Sequence, residues 1–251
     1  MPEPNRPRTT QSPPALDPKI SALFLDVDGS IVEIVARPHE VDPDAELTSI
    51  LERLGAVMGG RVAVLTGRTI EDADRILEGR VVTVAAVHGL VRRMPDGSIT
   101  RTTSPAQLLE AKRLLLAFAQ TMPGLIVEDK GLSLAVHYRQ VQQAESAVRA
   151  ATEQIAQAAG LVVQAGSMVS EVRTPGPDKG DALKDFINVS PFAGSMPVMV
   201  GDDLTDEHAF AAAEELGGYG VLVGRPRASA AQYRLASVTA VRAWLAAGTA
   251  G

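Results

Sequence analysis

The sequence predicts a doubly wound, Rossmann-like parallel-sheet α/β core with an inserted α+β module. Three observations carry that expectation. Short, nearly continuous apolar runs alternate with amphipathic helical stretches, the pattern of strands covered on both faces of a parallel sheet. Several of those runs stop at polar residues, namely Asp26 and Asp28, Thr66, His88, and Asp202 and Asp203. Between residues 101 and 174 the rhythm changes to helix, two strands, helix, two strands.

The elements follow in order. "SALFLDVDG" reads as a buried strand ending in two carboxylates. "DPDAELTSILERLGAVMG" places Leu47, Ile50, Leu51, Leu54 and Val57 at helical spacing, with acids in its first turn and glycine at its end. "RVAVLTGR" is a second strand, "TIEDADRILEG" a helix and "VVTVAAVHG" a third strand, which completes a βαβαβ unit. "SPAQLLEAKRLLLAFAQTM" then predicts a helix. In "LIVEDK" and "LSLAVHYR", Leu132, Leu134, Val136 and Tyr138 alternate with polar or small residues, as in a half-covered antiparallel strand. The helix "VQQAESAVRAATEQIAQAAG" and the strands "LVVQAG" and "MVSEVRT" close the module. "PGPDKGDALKDF" opens a helix near Lys179. A strand ("MPVMVGDD"), a helix ("TDEHAFAAAEEL"), a strand ("GYGVLVG") and a final helix ("VTAVRAWLAAG") return to the first style. The expected organisation is a disordered leader over 1–19, a core formed by 20–100 and 175–251, and an inserted module over 101–174.

Bulk properties narrow the function classes. The chain has 251 residues, 45% apolar and 22% charged, enough for a sizeable core. A net charge of −6 gives no support to nucleic-acid binding. Cysteine is absent, which excludes disulfides and thiolate-held metals and is compatible with a reducing cytoplasm. No apolar run approaches the ~20 residues a bilayer span needs. The first eighteen residues hold six prolines and no apolar stretch of the signal-peptide kind. No G-x-x-x-x-G-K-[ST] or G-x-S-x-G motif is present, and "GYGVLVG" lacks dinucleotide-binding spacing.

Open parallel sheets bind ligands beyond the carboxyl ends of their strands. If the tips carrying Asp26, Asp28, Thr66, Asp202 and Asp203 are neighbours, several acids share one crevice with Lys179. Such clustering is costly by several kcal/mol at intermediate dielectric, so a counter-charge is expected. An oxygen-only donor set suits Mg²⁺, which bridges readily to a phosphate. An ionised Asp beside it can attack phosphorus to give an aspartyl-phosphate. The second Asp, two residues on, can protonate the leaving alkoxide and later activate water. Lys179 and the Thr66 hydroxyl would hold the phosphate oxygens. Lys179 at a helix start opposes the macrodipole unless an anion accompanies it.

In that order along the chain, "DVDGS", "LTGR", "DKGDAL" and "GDDLTDE" resemble the four signature motifs of haloacid dehalogenase-superfamily phosphatases, and the insert resembles their type-2 cap. More narrowly, "VHG", "VEDKGLSLAVHYR", "SEVRT" and "GDDLTDE" resemble trehalose-6-phosphate phosphatases. The resemblance implies Asp26 as nucleophile and Asp28 as acid/base, with Thr66 and Lys179 on the phosphate; Arg68 reads as a further phosphate-binding residue, with a carboxylate contact or a surface ion pair as the alternative. It implies Mg²⁺ on the Asp26 side chain, the Asp28 carbonyl and Asp202, supported by Asp203 and Asp206. In the cap it assigns sugar-hydroxyl contacts to Glu128, Lys130 and Glu171, since a carboxylate can accept several hydroxyl hydrogen bonds. Ser30 stands where that first motif usually has threonine, and Ser167 and Met168 where a lysine is frequent before the cap glutamate.

The expected function is therefore Mg²⁺-dependent hydrolysis of trehalose 6-phosphate by a cytoplasmic monomer, with a small sugar phosphate as its partner and neither nucleic acid nor membrane. The alternative within the class is another sugar phosphate, such as sucrose 6-phosphate or a glycosyl-phosphoglycerate. A phosphate-accepting receiver domain needs no acid for a leaving sugar, and a non-catalytic binding protein needs neither Asp26 nor Asp28. Beside these roles, His88 reads as a loop histidine near the crevice, Tyr138 as core, Arg139 as an interface or substrate residue, and Glu128 with Lys130 as a surface ion pair.

Overall fold

In the computed structural model, which describes residues 10–35 and 37–249, the apolar runs become strands with almost every side chain buried. These are β1 (Ser21–Leu25), β2 (Val62–Leu65), β3 (Thr83–Ala86), β10 (Met196–Gly201) and β11 (Tyr219–Val223). They pair in parallel with one another, and shorter strands complete an eight-stranded sheet: β4 (Val91–Arg93) and β5 (Ile99–Arg101) at one side, β12 (Tyr233–Leu235) at the other. The order is β12-β11-β10-β1-β2-β3-β4-β5. From the centre, β1 to β3 step one way and β10 to β12 the other, so the winding reverses between β1 and β10. That reversal is where open α/β sheets leave a crevice for ligands. Leu25 lies level with Val200, which sets Asp26 beside Gly201 at the head of the acidic turn.

The crossover helices are α1 (Ala45–Val57), α2 (Ile70–Leu77), α5 (Lys179–Ile187) and α6 (Glu207–Glu215), and α7 (Val238–Ala247) follows the last strand. Their starts follow the residue types that satisfy orphan N–H groups. The Asp44 side chain accepts from the N–H groups of Glu46 and Leu47, and Thr69 from that of Asp72. Asp178 and Asp181 form a reciprocal capping box at the start of α5. On one face of the sheet Phe24, Leu65, Phe186, Phe192, Met199 and Phe210 form a continuous core. Each such side chain contributes roughly 1.5–3 kcal/mol by burial.

The chain divides into two compact units: residues up to Thr100 together with Pro177 onward, and Arg101–Gly176. The second unit holds α3 (Gln107–Gln120), β6 (Ile126–Asp129), β7 (Ser133–His137), α4 (Glu145–Ala159), β8 (Val162–Gly166) and β9 (Val169–Arg173). Its strands form an antiparallel sheet in the order β6-β7-β9-β8. Leu134, Val136 and Val172 point from this sheet into a core with Leu108, Leu115 and Val148 of α3 and α4. Tyr138 is buried there too. Strand alternation therefore turns Ser133, Ala135, His137, Glu171 and Arg173 to the opposite face.

Three expectations need correction. Of the leader over 1–19, residues 1–9 lie outside the described residues, but 10–19 is seated on the first unit rather than disordered. Leu16 is buried, the Pro14 carbonyl accepts from Trp244 Nε1 at 2.8 Å, and that of Gln11 from the Arg234 N–H at 2.8 Å. A proline-rich stretch cannot form a ladder, yet its carbonyls remain acceptors. "VVTVAAVHG" is a strand only to Ala86, after which Val87, His88 and Gly89 take left-handed φ of 47°, 56° and 101° and reverse the chain into β4. The three-residue strands β4, β5 and β12 are too short to show a period-2 pattern and were not expected. No helix among the described residues is long and apolar enough to cross a membrane.

Candidate active site

Asp26 follows the last residue of β1 and its N–H bonds to the Val200 carbonyl at 2.9 Å, so the backbone ladder itself fixes where its side chain begins. The chain then curls back: the N–H groups of Ile31 and Val32 both reach the Val27 carbonyl at 3.0 Å. Ser30 is thereby brought under Asp26, and its Oγ donates to Asp26 Oδ2 at 3.2 Å. Asp26 Oδ1 accepts from Lys179 Nζ at 2.7 Å, and the same ammonium donates to Asp206 Oδ1 at 2.7 Å. Lys179 is fully inside the protein, although it is the first residue of α5. Its partners explain that placement better than a helix-end preference would. Burial alone would lower its pKa, but Asp206 and Asp26 outweigh that and hold it above the ordinary lysine value.

Asp202 enters from the tip of β10. Gly29 leaves it room: φ is 81° there, and a Cβ would lie 2.2 Å from Asp202 Oδ2, so only glycine fits on both counts. Asp26, Asp202 and Asp206 each present a carboxylate oxygen within 4.8 Å of the others. At an effective dielectric of ~20, each like-charged pair at that separation is opposed by about 3–4 kcal/mol. Asp206 Oδ2 also accepts the N–H groups of Asp202 (3.0 Å) and Asp203 (3.1 Å). Desolvation, then Asp206 acting against the pull of Lys179, pushes Asp26 up to about 7. Desolvation, then Asp26 and Asp206, pushes Asp202 up to about 9. Three oxygen donors with more negative charge than one ammonium can balance suit a hard, oxygen-seeking divalent cation. The residues present therefore fit Mg²⁺.

Asp28 is engaged elsewhere. Its two oxygens accept from Arg68 Nε (2.7 Å) and Nη2 (2.6 Å), a two-pronged pair across 40 residues. Arg68 is buried, whereas Asp28 remains partly open to solvent. Thr66, fully buried at the tip of β2, accepts the Arg68 N–H on its Oγ1 at 3.1 Å, which ties the "LTGR" turn together. His88 lies on this turn: its ring occupies the space a Cβ on Gly67 would need, and its N–H bonds to the Thr66 carbonyl at 2.9 Å. Asp203 accepts the Leu204 N–H at 2.8 Å and so caps the short turn before α6.

The second unit carries its own polar constellation. Strand register sets Glu128, Ala135, Glu171 and Gln164 in one row across the sheet. Glu128 and Lys130 each have a further partner on this sheet. Glu128 accepts from His137 Nε2 at 2.8 Å, and Lys130 Nζ donates to Glu171 Oε2 at 3.0 Å, with both members of the latter pair buried. Burial pushes the Glu128 carboxyl up, but the His137 hydrogen bond and the Lys130 charge together hold it below the usual range. Arg173 donates to the Gln164 side chain at 2.9 Å. Arg139 donates to the Ser167 carbonyl at 3.2 Å beside Met168, whose φ is 60°.

Sequence reasoning grouped Asp206 with Asp203 as support, whereas the structure makes Asp206 a member of the carboxylate cluster. It also missed Glu207 and Arg227: Glu207 accepts from Arg227, and Arg227 donates to the carbonyls of the Asp202–Asp203 turn. "GDDLTDE" contains the first of these, but nothing in the sequence marks the second.

The trehalose-phosphatase family profile matches residues 24–239. The chain is 34% identical over 229 residues to the "probable trehalose-phosphate phosphatase" of Sinorhizobium fredii, covering 90% of this chain and 86% of that one. It is 35% identical over 227 residues to the trehalose-6-phosphate phosphatase of Escherichia coli K12, covering 89% and 85%. The C-terminal domain of the C. albicans trehalose-6-phosphate phosphatase superposes with a TM-score of 0.83 at 19% identity, covering 98% of this chain and 99% of that chain, which shows a shared fold.

Proposed function

The chain belongs to the trehalose-phosphatase family, and on that footing we propose that it hydrolyses trehalose 6-phosphate to trehalose and phosphate through an aspartyl-phosphate on Asp26. The observation that carries the chemistry is the Asp26 carboxylate at the winding reversal, with Oδ1 held by Lys179 and Asp202 alongside.

Asp26 forms an O–P bond as the ester O–P bond breaks, and Asp28 delivers a proton to the departing sugar alkoxide. Asp28, now a base, takes a proton from water, whose oxygen attacks phosphorus and frees Asp26. Lys179 and the Thr66 hydroxyl steady the phosphate oxygens as charge moves among them. Arg68 has a double duty in this reading. Its fork holds Asp28 as an acceptor, so the pair opens when Asp28 acts as acid, and the freed guanidinium matches phosphate oxygens. Asp26, Asp202 and the Asp28 carbonyl would hold Mg²⁺, which supplies positive charge that lets an anionic nucleophile meet an anionic ester. In the cap, Glu128, Lys130 and Glu171 take the sugar hydroxyls.

Phosphate release with Mg²⁺ from trehalose 6-phosphate, sucrose 6-phosphate, glucose 6-phosphate and p-nitrophenyl phosphate tests this. A preference for the first ester that disappears in Asp26→Asn is the expected result. Equal turnover of all four, still abolished by that substitution, would retain the chemistry and overturn the substrate. No release from any would overturn both.

A further inference from the structure

The turn that carries Asp202 has its backbone satisfied on both sides. Its N–H groups, from Asp202 and Asp203, both bond to Asp206 Oδ2. Its carbonyls face Arg227, whose Nη2 donates to the Asp203 oxygen at 2.9 Å and approaches that of Asp202 at 3.4 Å. Arg227 comes from the segment between β11 and β12, far along the chain. Its Nη1 donates to the Glu207 carboxylate and to the Ala228 carbonyl, the latter at 3.1 Å. Glu207 is itself buried and tied down, accepting the Ser229 hydroxyl at 2.9 Å and the Ala230 N–H at 2.7 Å. It is also the first residue of α6, where negative charge meets the positive end of the helix dipole.

We propose that Arg227, anchored by Glu207, is a positioning residue that presets Asp202 for the divalent cation. The inference rests on the reading of Asp202 as a Mg²⁺ ligand. Several carbonyls and one carboxylate in different directions call for a planar fork of donors, which arginine has and lysine lacks. Outer groups that orient a metal ligand tune how tightly the ion is held.

The test is calorimetric titration of the full chain with Mg²⁺ alone, for wild type, Arg227→Ala, Arg227→Lys, Asp202→Asn and Arg93→Ala, with melting temperatures recorded in chelator. Arg227→Ala should weaken Mg²⁺ binding by about 10–100-fold, Arg227→Lys by less, and kcat at saturating Mg²⁺ should change by far smaller factors. Arg93→Ala breaks a two-pronged pair with Asp74 away from the turn. It should lower the melting temperature and leave Mg²⁺ affinity as in wild type. Wild-type affinity in both Arg227 variants, whatever their melting temperatures, overturns the inference. If Arg227→Ala does not fold, Arg227→Lys decides in the same way. No uptake by wild type, with Asp202→Asn indistinguishable from it, overturns the metal reading itself and the role of Arg227 with it.

Discussion

At the tips of β1 and β10, Asp26 and Asp206 divide Lys179 between them and Asp202 stands beside both. On the polar face of the second unit's sheet the acids each meet a basic side chain instead, Glu171 with Lys130 and Glu128 with His137. The first arrangement is crowded with negative charge and pushes two of its carboxyls upward. The second is balanced and holds Glu128 down. On the function proposed above, the contrast follows what each region would meet. A phosphoryl-transfer site gains by storing repulsion that a cation then relieves, whereas a surface for a neutral sugar gains by presenting fixed donors and acceptors with little net charge.

The sharpest way to break the comparison is to remove the nucleophile. Asp26→Asn should lower phosphate release on the order of 10⁴–10⁶-fold, while amide exchange within α3, α4 and their sheet stays unchanged. If the cap loosened as well, the two regions would not be separable. Asp28→Asn comes next, with a loss of about 10²–10⁴-fold on trehalose 6-phosphate. The loss should be much smaller on p-nitrophenyl phosphate, whose leaving group needs little protonation. Equal losses on both esters would count against Asp28 as the acid.

On the cap side, Glu171→Gln keeps an acceptor beside Lys130 but removes the charge. The KM for trehalose 6-phosphate should rise by about 10–100-fold, the value of a hydrogen bond to a charged group, with p-nitrophenyl phosphate turnover unaffected. A matched loss on the small ester would show that Glu171 serves the chemistry or the fold rather than the sugar.

The smallest effects are pH slopes of opposite sign. For Asp26 and Asp202 the folded pKa values, about 7 and about 9, lie above the unfolded value near ~3.9. The folded state then binds more protons, so in chelator stability falls as pH rises through that window. Asp202→Asn should flatten the slope and raise the melting temperature at pH 8 by at least about 2 °C. Glu128 is depressed, so its contribution is full above the unfolded value of about 4.3 and is lost as pH falls through the folded value. Exchange of the β6 and β7 amides, corrected for intrinsic rates between pH 3 and 6, should show that loss in wild type and not in Glu128→Gln.

Much of this architecture was legible in one dimension. Phe24 and Leu25 had to be buried, so Asp26 had to sit at a strand end, and the same logic placed Thr66 after β2 and Asp202 after β10. Lys179 was legible as a helix start, because "PGPDKGDALKDF" passes from a Pro/Gly loop into a helix. The alternation from Leu132 to Tyr138 separated the core face of the cap from its polar face, and Tyr138 did turn inward. What escaped were pairings. Asp28 with Arg68, Glu128 with His137, and Lys130 with Glu171 each join residues from different strands or strand tips. The seating of residues 10–19 and the grip of Arg227 on the Asp202–Asp203 turn depend on backbone carbonyls, which no residue type announces.

By itself, then, the sequence determined where the acids stand along the chain and which ends of strands and helices they occupy. Burial and periodicity are local, and each apolar run dictates its own boundaries. Only the tertiary structure decided which acid shares which base. That choice depends on the strand order β10-β1-β2 and β6-β7-β9, on the missing side chain of Gly29, where a Cβ would lie 2.2 Å from Asp202 Oδ2, and on an arginine brought back from beyond β11. Charge interactions depend on separation in space and on the local dielectric, so they follow neighbourhood in the fold rather than distance along the chain.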